Sequence, residues 1–391
     1  MISELARRAD AATADVLADI ADLVACETHS YDLPGLAEGL ALVNDLLARR
    51  LGAPTRAERY PGGERGDTTV VTYEGTGPGH VAVVGHYDTV WPRGTLADWP
   101  VASQRDEHGR QRLSGPGIFD MKTGLAQGIW ALKLLRESGA AVPTVTFVIN
   151  GDEEIGSLSS RPVIERVAAS VDATLVLEAS VDGAVKSGRK GGGIFTVTAT
   201  GVEAHAGLNP EAGASAIHAL AEFVTAAAAV AAPTEGTTVN VGRISGGTGT
   251  NVVAGQATAS IDIRVLTQEE QDRVDAAFDG IEVSDQRIRI DVQHGWNRPP
   301  MTLNAVSEPL LKTARAVSEE LGRNLADVTV GGASDANFVA GLGLPVLCGL
   351  GAVGGGAHAR HEFIYPDTVS HQTALVVGIL HRLAGAAGPR P

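Results

Sequence analysis

The chain has 391 residues, 44% of them hydrophobic, and its 46 acidic and 31 basic side chains give a formal net charge of −15 at pH 7. A chain of this length exceeds what one hydrophobic core usually supports, so we expect two domains. The acidic balance excludes the basic footprint of a nucleic-acid-binding protein, and no apolar run reaches the ~18 residues that a membrane span needs.

The amino-terminal stretch and the cysteines bear on where the protein works. Residues 2–25 interrupt their apolar positions with charged ones every few residues, which is typical of an amphipathic helix and not of a secretory signal. Cys26 and Cys348 are too few and too far apart in sequence for a disulfide framework. We therefore predict a cytoplasmic protein with free thiols.

The first half of the chain predicts alternating helices and strands. Residues 81–84 are an apolar run without alternation, which is typical of a parallel strand covered by helices on both faces. This succession predicts a doubly wound, mostly parallel α/β sheet. The predicted elements are helices at 2–25, 35–51, 121–137 and 159–169, with strands at 68–73, 81–84, 144–150 and 173–177.

From residue 190 the pattern changes to α+β. Strands with alternating polarity at 194–201, 237–244 and 257–265 are separated by helical stretches at 212–231 and 268–278. This pattern predicts a small inserted domain with one antiparallel sheet and two helices on one face. We expect a catalytic domain at 1–189 and 299–391, the second part with a helix at 305–321, a Gly-rich turn at 331–335, a strand at 344–347 and a helix at 369–383, and the insert at 190–298.

Six side chains with metal-binding chemistry follow predicted strands of the α/β portion. In such a sheet, the loops at the carboxyl ends of the strands gather along one edge, so residues distant in sequence can meet. Two imidazoles with several carboxylates match the donor set of a two-zinc hydrolytic site. These residues are His86, Asp120, Glu153, Glu154, Glu178 and His358.

Each of these residues also has a simpler interpretation. Asp120 precedes a predicted helix and could cap it, and the His86-x-Asp88 pair could be a hydrogen-bonded turn. Adjacent Glu153 and Glu154 are more informative, because two neighbouring carboxylates repel each other unless a cation or a proton intervenes. A phosphate-binding loop near Lys122 is excluded, since the G-x-x-x-x-G-K-[ST] motif would need glycines where the chain has Pro116 and Met121.

Eight fragments, in this order and spacing, resemble a known family. They are GHYDTVWP, SGPGIFDMKTG, NGDEEIGS, LEAS, VEAHAG, GTGTNVV, GGASDA and GAHARHEF. With them the chain resembles the two-zinc amidohydrolases and exopeptidases that include aminoacylases, succinyl-diaminopimelate desuccinylases and glutamate carboxypeptidases, most closely the carboxypeptidase G branch.

The resemblance implies roles for the residues of the α/β portion. Asp88 would orient His86, Glu153 would be the general base, and the peptide bond between Asp120 and Met121 would be cis. Two zinc ions per chain are implied, although Co²⁺ or Mn²⁺ would suit the same donors. Their ligands would be His86, Asp120 as the bridge, Glu154, Glu178 and His358.

The resemblance also implies that the insert at 190–298 serves as a lid and for dimerisation, and it implies roles for residues of the insert. His205 would cross a dimer interface to hydrogen-bond the tetrahedral intermediate of the partner subunit, while Asn251 and Arg264 would hold the carboxylate of the substrate. The alternatives are a surface-loop histidine and an arginine paired with Asp262. The chain offers no clear extra cation for an acidic substrate side chain, and Arg189, Lys190 and Arg298 are only possibilities.

These observations predict zinc-dependent hydrolysis of an amide bond next to a free carboxylate, releasing a C-terminal amino acid as a glutamate carboxypeptidase does. The alternatives are an N-acyl-amino-acid amidohydrolase or dipeptidase and, outside enzymes, a binding protein for amino acids or peptides. The expected partners are a small-molecule or short-peptide substrate and a second copy of the chain, with neither nucleic acid nor membrane.

Overall fold

A computed structural model describes residues 1–385. The chain divides into two compact units. The first comprises Met1–Gly188, Leu303–Thr329 and the described part of Ser334–Pro391, and the second comprises Arg189–Thr302 and Val330–Ala333. The short segment Val330–Ala333, which the sequence analysis assigns to the carboxyl-terminal part of the catalytic domain, thus groups with the second unit.

The elements are numbered in chain order. The helices are α1 (Ile2–Ala25), α2 (Leu33–Leu51), α3 (Thr95–Asp98), α4 (Thr123–Glu137), α5 (Arg161–Ala168), α6 (Ala216–Ala228), α7 (Gln268–Asp279), α8 (Glu308–Glu320), α9 (Ala336–Gly341) and α10 (Val369–Leu383). The strands are β1 (Arg56–Tyr60), β2 (Thr68–Tyr73), β3 (His80–His86), β4 (Ala102–Arg105), β5 (Gln111–Ser114), β6 (Thr144–Asn150), β7 (Ala173–Val176), β8 (Val185–Arg189), β9 (Gly191–Thr200), β10 (Thr238–Gly246), β11 (Gln256–Val265), β12 (Arg289–Gln293), β13 (Trp296–Arg298), β14 (Asp327–Val330), β15 (Val346–Cys348), β16 (Gly354–Gly355) and β17 (Phe363–Ile364).

The first unit is built on a large sheet. Within residues 1–385 this sheet has eight strands in the order β1-β2-β6-β3-β7-β15-β8-β14. The four central strands β6, β3, β7 and β15 run parallel to one another, and antiparallel strands pair on both sides of them. The non-sequential strand order and the helices between the parallel strands confirm the predicted doubly wound, mostly parallel α/β fold.

Strand β3 lies at the centre of this sheet. Val81 to Val84 are each at most 1% exposed, and β3 pairs with β6 on one side and β7 on the other. Helices α4, α5 and α10 all contact it. Because the side chains on both faces of the strand are buried, the residues do not alternate between apolar and polar, which is why the sequence shows a continuous apolar stretch. The last paired residues of β3 and β6 are His86 and Asn150, so the carboxyl ends of these two parallel strands lie side by side.

The second unit has its own core. Strands β10, β11, β9 and β12 form an antiparallel sheet in that order, and β13 pairs with β9. Every second residue of β11 is buried, and α6 and α7 contact this strand. The sheet and helices therefore enclose a separate hydrophobic cluster centred on Phe195, Phe223 and Phe278.

A third, smaller sheet is absent from the sequence prediction. It has the order β16-β17-β5-β4, and its strands are two to four residues long. Such short strands, exposed on β4, lack the length from which periodicity is recognised. The other strands that the sequence analysis does not predict are β1, β8, β12, β13 and β14.

Some predicted boundaries also shift. Helix α6 begins at Ala216 and not at 212, because Ser215 caps it by accepting a hydrogen bond from the His218 amide at 3.3 Å. Helix α4 begins at Thr123, because Asp120 and Met121 before it have non-helical backbone angles. In the described part of the chain, no helix has both the length and the apolar character required to cross a bilayer.

Candidate metal centre

The end of β3 supplies the first two candidate residues. His86 is 1% exposed and Asp88 is fully buried. The ring Nδ1 of His86 lies 3.0 Å from the carbonyl oxygen of Asp88 and 3.4 Å from its carboxylate. Because a carbonyl only accepts, Nδ1 must carry a proton, which leaves Nε2 as the atom for a metal. Asp88 thus orients the imidazole more closely through its backbone than through the side chain.

Asp120 lies after β5, in the middle of a wide helical turn, Ile118–Lys122. The turn depends on Gly117, whose φ of +72° is left-handed and whose added Cβ would come 2.5 Å from the Thr89 methyl group. The bond between Asp120 and Met121 is cis, as predicted. Asp120 therefore follows a strand of the small sheet and not, as expected, a strand of the main sheet.

Glu153 and Glu154 begin a short helical turn directly after β6, Glu153–Ile155. The carboxylate of Asp88 accepts hydrogen bonds from both of their backbone amides at 3.2 Å. Two residues after this turn, Ser157 donates to the buried carboxylate of Asp335. The position of the adjacent glutamates is thus fixed by buried carboxylates from two other segments.

Glu178 and His358 complete the set of predicted ligands. Glu178 follows β7, is 7% exposed, and its carbonyl accepts a hydrogen bond from the Gly351 amide at 2.9 Å. His358 lies in a loop between β16 and β17 and has a φ of +61°, a left-handed conformation that non-glycine residues rarely adopt. Such strained positions cluster at functional sites.

The structure brings these residues into two groups of potential ligands. His86, Asp120 and Glu178 form one group, and Asp120, Glu154 and His358 form the other, with all donor atoms of a group within 4.8 Å of one another. His358 Nε2 lies 3.0 Å from Glu154 Oε2 and 3.5 Å from Asp120 Oδ2. Asp120 offers its other oxygen, Oδ1, to His86 Nε2 at 3.4 Å. One carboxylate therefore belongs to both groups of potential ligands.

The pKa values of some residues in the two groups are shifted, because several ionisable side chains lie close together and are largely buried. Burial raises the pKa of Glu154 to about 7. Burial also disfavours the Asp120 carboxylate, but contacts with His358 and His86 hold its pKa well below the usual range. Hydrogen bonding to Asp120 and then to Glu154 raises the pKa of His358 to about 11. A proton on His358 Nε2, which faces Glu154 and Asp120, thus occupies a position for which a cation would compete.

The residues present fit divalent metal ions. Within residues 1–385, His86 Nε2 is buried and makes no hydrogen bond, although it faces Asp120 and, at 3.8 Å, Glu178. A buried ring nitrogen without a partner costs free energy unless a ligand satisfies it. Imidazole nitrogen and carboxylate oxygen are common zinc donors, and three protein ligands per ion leave a position open for water or substrate.

Comparison with known proteins identifies the family. Residues 82–382 match the profile of peptidase family M20/M25/M40. The chain belongs to this family. It is therefore a hydrolytic metalloenzyme of the exopeptidase and amidohydrolase class, and the predicted resemblance is confirmed. The family implies divalent metal binding, which agrees with the donor atoms above.

Several relatives of this M20 chain span most of its length. Carboxypeptidase G2 from Pseudomonas sp. (strain RS-16) is 30% identical over 89% of this chain and 84% of its own. Succinyl-diaminopimelate desuccinylase from Rhodospirillum centenum is 29% identical over 84% of this chain and 88% of its own. Among solved structures, the aminopeptidase PepT of Bacillus cereus has a TM-score of 0.76 at 23% identity, covering 95% of this chain and 99% of its own.

The residues predicted in the insert of this M20 chain lie in the second unit. His205 and Asn251 are exposed neighbours, since the Ala206 amide donates to the Asn251 carbonyl at 2.9 Å. His205 Nδ1 accepts hydrogen bonds from the Gly207 and Leu208 amides, so a neutral ring carries its proton on Nε2. Arg264 makes a two-pronged ion pair with Asp262 at 2.8–3.0 Å, the alternative raised by the sequence.

No role at the site was expected for two buried residues near the ligand groups of this M20 chain, Lys122 and Glu362. Lys122 is 3% exposed and donates to the Cys26 carbonyl at 2.6 Å, and burial lowers its pKa to about 8. Glu362 is fully buried against the Asp120 loop. The only signal for Glu362 was its place in the fragment GAHARHEF, four residues after His358.

Proposed function

We propose that this chain is a two-zinc exopeptidase that hydrolyses an amide bond next to a free carboxylate and releases a C-terminal amino acid, as a glutamate carboxypeptidase does. The observation that carries the proposal is the pair of ligand groups sharing Asp120, with Glu153 beside them. In support, carboxypeptidase G2 is 30% identical over 89% of the chain.

In this proposal the ligand groups hold one zinc each. His86, Asp120 and Glu178 hold the first, and Asp120, Glu154 and His358 hold the second. When bound, the ions would acidify the attacking water and polarise the scissile carbonyl.

The remaining steps belong to side chains. Glu153 takes the proton of the water on its carboxylate and later returns it to the leaving amine. Asp88 holds the turn of Glu153 in place by accepting its amide hydrogen bond at 3.2 Å.

The second unit would recognise the substrate. His205, with its proton on Nε2 in the neutral form, can donate a hydrogen bond to a developing oxyanion. Arg264 would exchange its two-pronged contact with Asp262 for the carboxylate of the substrate, because both partners present the same pair of oxygens. Asn251, next to His205, would add a neutral donor.

We further propose a homodimer formed by the second unit. Strand β10 is at the edge of its sheet and is mostly exposed. Ile244 on this strand is 60% exposed, Leu208 is 81% exposed and Ile217 is 43% exposed. An exposed edge strand that carries an exposed apolar side chain, in a unit with further exposed apolar side chains, is suited to pair with a second copy about a two-fold axis. Sedimentation of the protein and of an Ile244→Asp variant, which should be monomeric, tests this point.

A second candidate activity is the hydrolysis of N-acyl amino acids or dipeptides. The desuccinylase relative, at 29% identity over 84% of the chain, supports this alternative. The two activities share the metal centre and differ in the groups on either side of the scissile bond.

The experiment is a substrate panel run on zinc-loaded protein. Peptides and N-acyl amino acids should vary the released residue, and each should be paired with its C-terminal amide. Turnover confined to free carboxylates, lost on chelation and restored by zinc, would support the proposal. Equal turnover of the amides would refute carboxylate recognition, and a protein that binds amino acids without any turnover would support the binding-protein alternative.

Glu153→Gln tests the general base. An amide fills the same volume but cannot take a proton, so kcat should fall by at least a hundredfold while zinc content is unchanged. Glu165→Gln is the matched control, because Glu165 is paired with Arg161 on the surface of α5. Near-normal kcat in Glu153→Gln would mean that another group is the base.

A further inference from the structure

Glu362 is a buried carboxylate that belongs to neither group of potential metal ligands. Its side chain is fully shielded from solvent, and it lies between the loop of His358 and strand β17. A buried carboxylate is costly unless hydrogen bonds replace its hydration. Its partners therefore indicate what it does.

Each carboxylate oxygen of Glu362 accepts two hydrogen bonds. Oε1 accepts from the amides of Phe119 at 2.8 Å and Asp120 at 3.0 Å. Oε2 accepts from the amide of Gly117 at 3.0 Å and from the indole of Trp91 at 2.9 Å. The backbone carbonyl of Glu362 accepts a further bond from the Ser114 hydroxyl at 2.8 Å.

These donors come from segments that carry potential ligands. Trp91 is five residues after His86, the amides at 117–120 belong to the loop of Asp120, and Glu362 itself is four residues after His358. One side chain thus ties together three loops that are far apart in sequence. Its bond to the amide of Asp120 acts on the residue that both ligand groups share.

We propose that Glu362 is a positioning residue for the metal centre, fixing Asp120 relative to His86 and His358. This inference rests on the proposed two-zinc site. Partners of this kind orient the ligating side chains, and their loss typically lowers metal affinity by roughly 10–100-fold. Glu362 contacts the backbone of Asp120 and takes no part in bond making or breaking.

Glu362→Gln is the decisive variant. The amide has nearly the same shape, but its NH2 group must replace one of two oxygens that each face two N–H donors. In either orientation of the amide, two N–H groups then point at the NH2 group, which cannot accept their hydrogen bonds. The loop should shift while the core around it stays filled.

The readout is zinc affinity by competition with a chromophoric chelator, together with the visible spectrum of the cobalt-substituted protein. We expect Glu362→Gln to bind at least one equivalent 10–100-fold more weakly and to change the cobalt spectrum. Glu27→Gln is the control, because Glu27 also accepts two backbone amides, from Gly94 and Leu96, at 2.7 and 2.9 Å. This control should keep the wild-type affinity and spectrum.

The outcomes separate the inference from the proposal on which it rests. Wild-type protein with two zinc equivalents and a folded Glu362→Gln variant with the same affinities and spectrum would overturn the positioning role alone. Wild-type protein that binds no zinc would overturn both. If Glu362→Gln does not fold, Trp91→Phe removes the indole donor while keeping an aromatic ring, and it should weaken binding several-fold. Unchanged affinity there would also overturn the role.

Discussion

Asp88 allows a quantitative test of how the ligand segments are held. Its carboxylate accepts hydrogen bonds from the Ser30 hydroxyl at 2.8 Å and from the amides of Glu153 and Glu154 at 3.2 Å. In Asp88→Asn one oxygen becomes NH2, so in either orientation one of these two amides faces a donor. The hydroxyl of Ser30 can rotate to accept, but a backbone amide cannot.

The expected cost follows from this count of donors. One buried N–H group left unpaired costs about 1–3 kcal/mol, and the free energy of unfolding of the metal-free protein should fall by this amount. Zinc affinity should also fall by roughly tenfold, at the low end of such effects, because the Asp88 carbonyl still orients His86.

Asp172→Asn is the matched control for the same strand. Asp172 accepts one hydrogen bond, from the His80 amide at 2.7 Å at the opposite end of β3, and the remaining oxygen of an asparagine can keep it. This variant should lie within about 0.5 kcal/mol of wild type and bind zinc normally. Urea unfolding and chelator competition measure both quantities. Equal stability and equal zinc affinity for the two variants would refute the reasoning.

Three further predictions concern the units, the pH dependence and the dimer. Phe195→Ala should destabilise the second unit by about 3–5 kcal/mol and leave zinc affinity unchanged, because Phe195 is fully buried in that core; differential scanning calorimetry with zinc titration checks this. Burial and then Arg323 lower the pKa of His371 to about 4 from 6.5, with Asp10 opposing them. The unfolded state therefore binds more protons between these values, and urea unfolding should show stability falling from pH 6.5 towards 4 less steeply in His371→Gln than in wild type. Finally, inactive His205→Ala and Arg264→Ala proteins should regain activity on mixing if each His205 serves the partner's site and each Arg264 serves its own, since the mixed dimer then has one intact site. Heterodimers as inactive as their parents would mean that the two residues of one subunit serve the same site.

The sequence predicts elements best where apolar periodicity is long. Strands β2 and β6 and helix α10 have the predicted bounds. Each buries apolar side chains along its whole length in the core of the first unit, so its apolar pattern is long enough to recognise. The small sheet of β4, β5, β16 and β17 was not predicted, because its strands are short and because it pairs segments that are far apart in sequence. A pairing between Ser114 and Phe363 leaves no local signal.

The same contrast holds for the candidate site. His86, Asp120 and Glu154 could be singled out because imidazoles and carboxylates after strands are unusual side chains in recognisable places. Glu362 could not, because its partners are mainly backbone amides, and every residue except proline has an amide. The pairing of Arg264 with Asp262 was visible as a spacing of two on one strand, which puts both side chains on the same face.

The hydrogen bonds of Asp88 and Glu362 follow one pattern. Each buried carboxylate lies close in sequence to a potential ligand and accepts amide hydrogen bonds from the segment of another: Asp88 from Glu153 and Glu154, and Glu362 from the loop of Asp120. The ligand segments are therefore tied to one another by protein contacts, and metal ions need not order them. Zinc binding should then add stability by mass action, as RT ln(1 + [Zn]/Kd), with little of its binding free energy spent on ordering loops.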